Sequence, residues 1–426
     1  MESIKIGLLG LGVVGSGVWK VIKENSFELT ECCGKKIEIS KILVKSINKN
    51  RNVDVPKEIL TLDFNDILAD EDIDIIVEVM GGIHPPKEYI LKAIEKSKHI
   101  VTANKQLLAT CGNDIFSAAR DNNVKVFYEA SVAGGIPIIN AIRESLTSNK
   151  IEEIIGIVNG TTNYILSKMT DENSNFEEAL QEAKNKGYAE AVPTSDIEGY
   201  DAAYKLAILS SPAFKTSVNI ESISREGITK ITRDDIQFAR NLGYTIKLLA
   251  IAIHKNQSLE LRVHPAMIPN SNPLAHITDC YNGIIIKGNA AGNLMFQGKG
   301  AGELPTASAI VADIISIISN KKDSAVNYKD KNSRILSPDE IHGDYYVRLK
   351  IKNNSDALFN ITDILSMKNI KMSSITENKI NEDEAALLFT ISDIGFLSLS
   401  FILNELKSLP QVLEIENIIK IEDYAA

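Results

Sequence analysis

Cysteine is scarce in this chain of 426 residues, and the four present, Cys32, Cys33, Cys111 and Cys280, form no CxxC pair and no zinc-ligand spacing. That pattern speaks against a disulfide framework and fits reduced thiols in a cytoplasmic protein. Positive charge is also short: 46 Lys and Arg stand against 56 Asp and Glu, a net −10. Nucleic acid is therefore not expected as a partner, because phosphate binding wants a basic face. No uncharged apolar stretch approaches the ~20 residues of a spanning helix, so no membrane partner is expected. Met1 to Lys5 opens no basic-then-apolar leader, and no secretion signal is expected either. There is no internal repeat and no low-complexity tract.

What is present is ordinary globular composition, 44% hydrophobic and 24% charged, in a chain long enough for two or three cores. Residues 1–145 alternate strands and helices. The apolar runs Ile4 to Leu9, Ile37 to Val44, Ile73 to Val79, His99 to Thr102 and Val124 to Tyr128 predict strands, with helices at Ser16 to Glu24 and Pro86 to Lys96. That alternation implies an α/β fold with a mostly parallel, doubly wound sheet of Rossmann type. Residues 146–320 read as a second α/β domain, with strands at Ile151 to Val158 and Ile246 to Ile253 and helices at Asp196 to Ser210 and Thr306 to Ser319. The polar, lysine-rich run Asn320 to Ser333 reads as a linker, which we extend over residues 321–343. From residue 344 to 426 the order is Tyr345 to Ile351 strand, Leu358 to Lys368 helix, Ile370 to Glu377 and Ala385 to Ile391 strands, Leu397 to Ser408 helix and Val412 to Ile421 strand. This βαββαβ order is ferredoxin-like.

Three segments carry chemistry. Gly10-Leu11-Gly12-Val13-Val14-Gly15 follows the first strand and opens a helix. Gly10 permits the turn, Gly12 lets the backbone approach a pyrophosphate, and Gly15 lets helix and sheet pack closely, so a dinucleotide is expected here. An acidic residue about twenty positions on would grip the ribose hydroxyls of NAD. This chain has Lys45 at the end of its second strand, with Lys49 and Arg51 beyond, which points to NADP while leaving NAD open. In the second segment, Thr102-Ala103-Asn104-Lys105, the lysine lies at the carboxyl end of a strand, where a doubly wound sheet faces its ligand. The third runs from Gly187 through Glu190, Pro193, Asp196 and Gly199 to Asp201 and Lys205. Asp201 and Lys205 are four apart on a predicted helix and share a face, and Ala202, Ala203, Leu206 and Ala207 around the lysine predict its burial. Burial disfavours an ammonium while a carboxylate neighbour favours it, and that balance suits a group trading a proton with a carbonyl oxygen. The bland alternative is a surface ion pair worth under ~1 kcal/mol. A further glycine loop, Gly298 to Thr306 with Gly302 and Pro305, either supplies backbone donors to a ligand or is a flexible turn.

With Asn159-Gly160-Thr161-Thr162-Asn163-Tyr164 added, these motifs stand in one order across residues 1 to about 320, and the chain resembles the homoserine dehydrogenase family. The resemblance implies reversible NAD(P)-dependent reduction of L-aspartate 4-semialdehyde to L-homoserine, on the route to threonine, isoleucine and methionine. It implies Lys205 as proton donor to the aldehyde oxygen, assisted by Lys105, with Glu190 on the substrate amino group and Asp196 and Asp201 completing a polar pocket. Gly81, Gly187 and Gly302 would join the glycine loop at the cofactor. A monovalent cation, sodium by preference, would lie on the Glu129 carboxylate and the carbonyls of Val132, Gly134 and Ile136, all-oxygen ligands that suit a hard ion. The middle domain would also dimerise, giving a homodimer or homotetramer. The last domain is similar to ACT domains, but Asn353-Asn354-Ser355-Asp356-Ala357 lacks the usual Pro-Gly turn, so dimerisation rather than threonine feedback is expected. Val192, Ser195 and Tyr204 depart from the family pattern without touching a proton-transfer group. The rival readings are another dehydrogenase on this scaffold and an amino-acid sensor that binds nucleotide without turnover. Aspartate-semialdehyde dehydrogenase is disfavoured, because it needs a nucleophilic cysteine.

Overall fold

A computed structural model describes residues 3–319 and 333–424. The chain divides into two compact units, one built from Met1–Glu152, Tyr204–Glu221 and Ile286–Asn332, the other from Glu153–Ala203, Ser222–Ile285 and Ser333–Ala426. The stretch 146–320 is therefore shared between them.

The first unit holds a six-stranded sheet in the order β3-β2-β1-β4-β5-β6. Its strands are β1 (Ser3–Leu9), β2 (Lys36–Leu43), β3 (Leu60–Thr61), β4 (Ile73–Glu78), β5 (His99–Thr102) and β6 (Val126–Phe127). Every pairing is parallel. The sheet is covered on both faces, which is why its strands read as near-continuous apolar runs. Ile75 and Val77 join one core with Leu8, Trp19, Ile310 and Ile314, while Ile76 joins another with Ile90, Ile94, Leu107 and Ile115. The strand order reverses at β1, and such a switch point opens a crevice at the carboxyl ends of β1 and β4.

In the second unit the hairpin Tyr244–Lys255 and Ser258–Pro269 turns at Asn256 and Gln257, both with positive φ (50° and 64°). Two left-handed residues make the two-residue turn that matches strand twist. The C-terminal part has the element order His342–Lys352, Ser355–Met367, Met372–Lys379, Glu384–Gly395, Phe396–Lys407 and Val412–Ile421, which is βαββαβ. Its last strand lies beside the first, and also runs parallel to Ser258–Pro269 through Ala266 and Lys420. The C-terminal sheet is thus continuous with the central hairpin rather than a separate layer.

Two expectations need correction. The single helix from Asp196 to Ser210 is two, Thr194–Ile197 and Tyr200–Phe214, because Gly199 between them has φ +78° and breaks the ladder. The strand Val124 to Tyr128 shortens to Val126–Phe127. Of the linker, residues 320–332 lie outside the described residues. In the remainder, Arg334–Ile335 pairs with Ser258 and Leu259 and a capped turn spans Pro338–Glu340. Among the described residues no helix is long and apolar enough to cross a membrane.

Lys247, on the hairpin, is only 2% exposed. Its Nζ donates to the Ile277 carbonyl at 2.6 Å and to Asn163 Oδ1 at 3.1 Å. Asn163 Nδ2 in turn donates to the carbonyls of Ile277, Asp279 and Tyr281, so the pair clamps that loop. Burial pushes the ammonium down to about 8. Below that pH both folded and unfolded chains hold the proton, and the fold carries the desolvation cost. Between about 8 and the ordinary 10.5 the unfolded chain keeps a proton that the folded chain releases, so stability rises with pH, by up to about 1.4 kcal/mol per pH unit. Urea denaturation at pH 7 to 10 should therefore show the wild type gaining on Lys247→Met as pH rises. A difference that does not change with pH would mean the ammonium is not desolvated.

Candidate active site

The glycine loop is tight where the sequence demands it. Gly10 has φ +105°, and a Cβ on Gly15 would lie 2.2 Å from the Gly10 carbonyl oxygen. The helix Val13–Glu24 starts at Gly12 with no side-chain cap and no acidic residue in its first turn, so its leading amides have no anion of their own. Such amides are a ready anion site. Gly302 (φ +128°) caps the helix Glu303–Ile318. That helix runs against the glycine-loop helix, where a Cβ on Gly17 would lie 2.5 Å from the Glu303 carbonyl oxygen, and Lys20 pairs with Glu303 at 2.7 Å. The Gly298 to Thr306 segment is therefore the end of the strand Gly292–Lys299, a short turn and a helix start packed beside the glycine-loop helix.

At the far end of the crevice a carboxylate that sequence reasoning missed organises two turns. Glu78 ends β4 with no solvent exposure. Its Oε1 accepts from the amides of Met80 (2.8 Å) and Gly81 (3.3 Å), and its Oε2 from Thr102 Oγ1 (2.7 Å). Asn104 Nδ2 donates to the Gly82 carbonyl at 2.7 Å, while its Oδ1 accepts from Leu107 N and caps the helix Lys105–Asp121. Gly81 and the half-buried Lys105 are thereby tied to one carboxyl, which burial pushes up from its ordinary range. The only signal in the sequence was an acid closing an apolar parallel strand. Lys45 is exposed just beyond β2, whereas Arg51 folds back onto the carbonyls of Ser46, Ile47 and Lys49.

Lys205 is buried, 7% exposed, on the helix Tyr200–Phe214 among Ala202, Ala203, Leu206 and Ala207, all buried. Within the first unit this helix and Lys105–Asp121 line one cavity of about 180 Å³ through Ala207, Ile208, Leu108 and Phe116. In the second unit Asn159 is a hub. Its Nδ2 donates to Asp196 Oδ1 at 2.7 Å and to the buried Asp201 Oδ2 at 2.8 Å, and its Oδ1 accepts from Thr162 N. Thr161 Oγ1 donates to the Tyr188 carbonyl at 2.6 Å, holding the Gly187-Tyr188 turn. The Asn-Gly-Thr turn and the acidic stretch are thus one structure. Glu190 and Val192 are exposed on the loop between, and Gly187 has φ +75°.

Two family models match this chain: the homoserine dehydrogenase NAD-binding domain over residues 10–129 and homoserine dehydrogenase over residues 137–315. A homoserine dehydrogenase of Bacillus subtilis is 39% identical over 430 residues, spanning 99% of each chain. The chain belongs to the homoserine dehydrogenase family. Among solved structures, a homoserine dehydrogenase from Thiobacillus denitrificans superposes with TM-score 0.91 at 39% identity, covering 99% of each chain. A hyperthermophilic archaeal homoserine dehydrogenase in complex with NADPH matches with TM-score 0.65 at 26% identity, covering 75% of this chain and 99% of that one.

The loop from Glu129 to Ile136 lies wholly in the first unit. Glu129 is buried; its Oε1 accepts from Ile139 N at 2.8 Å and its Oε2 from Asn140 N at 2.7 Å, and burial pushes the carboxyl up to about 7. Ala133 and Gly134 are left-handed (φ 55° and 46°), and a Cβ on Gly134 would lie 2.7 Å from the Gly300 carbonyl oxygen. Ile136 offers a carbonyl that already accepts from Ile138 N. Among the described residues no cluster of three or more His, Cys, Asp and Glu could hold a metal. The oxygens here are those of one buried carboxyl, both already accepting backbone amides, and the carbonyls of a tight turn.

Proposed function

We propose that the chain catalyses the reversible reduction of L-aspartate 4-semialdehyde to L-homoserine, with Lys205 delivering the proton. The observation that carries this reading is the burial of Lys205 on an apolar, alanine-lined helix one turn after Asp201. A nicotinamide held at the glycine loop would supply the hydride for the aldehyde carbon. The C=O π bond then becomes an O–H bond as the Lys205 ammonium gives its proton to the oxygen, and the alcohol results. In the reverse direction neutral Lys205 takes that proton back. Lys105, anchored by the Asn104 cap, assists at the same oxygen. Asp196 and Asp201, oriented by Asn159, form the polar wall of the site, and Glu190 takes the substrate ammonium.

The cofactor in this reading is NADP. Lys45 stands where a carboxylate would favour NAD, and the archaeal relative is known as an NADPH complex. Gly10, Leu11, Gly12, Val13, Val14 and Gly15 hold the pyrophosphate, and Gly81, Gly187 and Gly302 complete the cradle. A sodium ion would rest on Glu129 and the carbonyls of Val132, Gly134 and Ile136, where it would fix the loop and take no part in proton transfer. The C-terminal βαββαβ segment is read as an ACT-like dimerising domain, since Asn354 caps its first helix where a Pro-Gly turn would otherwise stand. The enzyme acts in the cytoplasm as a homodimer or homotetramer.

The test is direct: homoserine and NADP are mixed with the protein and nicotinamide absorbance is followed. Steady production of reduced cofactor is expected, and its absence would favour a nucleotide-binding sensor. Side-by-side kinetics should give a higher kcat/KM with NADP than with NAD, and Lys45→Ala should narrow that ratio by about tenfold, the worth of one charge-assisted contact. A clear preference of the wild type for NAD would remove the assignment.

A further inference from the structure

In the second unit two carboxylates share one amide. Asn159 Nδ2 donates to Asp196 Oδ1 at 2.7 Å and to the buried Asp201 Oδ2 at 2.8 Å. Like charges so close disfavour each other, and they stay together only if the chain between them is fixed. That chain is short: Ile197, Glu198, Gly199 and Tyr200, with Gly199 left-handed at φ +78°.

Residues 224–229 wrap this turn. The short strand Ser224–Arg225 pairs with Arg262 and Val263 of the central hairpin, which gives it a firm base. Ile228 N donates to the Ile197 carbonyl at 2.8 Å, and Thr229 Oγ1 to Glu198 Oε1 at 3.3 Å. A Cβ on Gly227 would lie 2.2 Å from the Ile197 carbonyl oxygen, so the two backbones meet where only glycine fits.

Arg225 alone among these residues reaches both sides of Gly199. Its guanidinium donates to the Glu198 carbonyl on one side and lies 3.5 Å over the centre of the Tyr200 ring on the other. A flat cation with several donors can do both at once, which a lysine cannot.

We infer that Arg225 is a positioning residue for the reaction: by clasping Glu198 and Tyr200 it fixes the Gly199 turn and keeps Asp196 and Asp201 together on Asn159. The kinetic half of this inference rests on the reading of those two acids as the polar wall of the substrate site. The structural half does not.

A crystal structure of Arg225→Met tests the structural half. Asn159 Nδ2 should keep only one of its two carboxylates within hydrogen-bond length, and a variant retaining both would overturn the inference. Steady-state kinetics test the other half. Arg225→Met should lower kcat/KM for homoserine by roughly 10- to 100-fold, mostly through KM, with the KM for NADP unchanged, since small misplacements of binding groups have effects of this size. A variant that is merely less well folded would lose kcat and keep both KM values, and that outcome would also overturn it. Tyr200→Leu, at an exposed position, removes the stacking face and leaves the backbone contacts, so it should raise the homoserine KM to a smaller degree. The double variant should be no worse than Arg225→Met alone, because both lose the same contact, and fully additive losses would overturn the mechanism. If the wild type fails to turn over homoserine, the reading of the site falls, and the crystallographic comparison still decides whether Arg225 holds the turn.

Discussion

Lys205→Met is expected to lower kcat for homoserine oxidation by about 10²- to 10⁴-fold, the usual contribution of a positioned acid or base. Methionine keeps the length and apolar stem of the side chain, so the loss reads out the amine rather than a hole beside Ala202, Ala203, Leu206 and Ala207. KM for the cofactor should hardly move, because the glycine loop proposed to hold the nucleotide lies between β1 and the helix Val13–Glu24, which packs on the helix Glu303–Ile318. Lys105→Met should cost less, since in the proposed mechanism that residue only assists at an oxygen served by Lys205. If Lys205→Met kept more than about a third of the wild-type rate, the proton would have to come from another group. Because the buried amine works in both directions, reduction of the semialdehyde should fall by the same factor.

The second large effect is on stability. Asp235 has no solvent exposure and accepts from Tyr346 OH at 2.5 Å, Thr232 N at 2.9 Å, Asn417 Nδ2 at 3.0 Å and Thr232 Oγ1 at 3.1 Å, with Arg348 Nε 3.1 Å away as an ion-pair partner. The carboxylate thus caps its own helix, Arg233–Asn241, and fastens strands His342–Lys352 and Val412–Ile421 to it. Burial and the neighbouring carboxylate hold the Tyr346 hydroxyl protonated, so it donates throughout the accessible pH range. Asp235→Ala removes the nearer of the two carboxylates beside the buried Arg348, leaving only Glu416 at 3.7 Å, and breaking a buried pair costs up to about 3–5 kcal/mol. Urea denaturation should show that drop. The double variant with Arg348→Met should be less destabilised than the sum of the two singles, because the stranded charge is gone. A single-variant loss under about 1 kcal/mol would mean that the network is slack.

The first half of the fold is legible in the sequence because a parallel sheet covered on both faces leaves long β-branched runs, and because only glycine fits where Gly15 meets Gly10. The βαββαβ order of the last segment is legible for a similar reason, its strands and helices differing plainly in apolar period. Other features are not local. Gly199 sits inside an otherwise helical pattern, and the neighbours that crowd its left-handed turn, Val263 and Arg225, come from distant parts of the chain. Asn256-Gln257 lacks the usual Asn-Gly signature, so the hairpin is longer than its apolar run. Of the site, Lys205 and Asp201 are visible as a spaced pair. Glu78 is a lone acid and Asn159 a turn residue until the structure brings Thr102, Gly81, Asp196 and Asp201 to them.

The position of β1 has a kinetic consequence. It needs β2 on one side and β4 on the other, and Lys5 meets Ile73 across an intervening strand–helix unit. During synthesis β1 therefore waits with an apolar edge uncovered until β4 has emerged. Parallel pairings that close long loops form slowly and are prone to sticking while they wait. The nascent first unit should accordingly be a client for chaperones that shield bare strand edges, and its yield should depend on them more steeply as temperature rises.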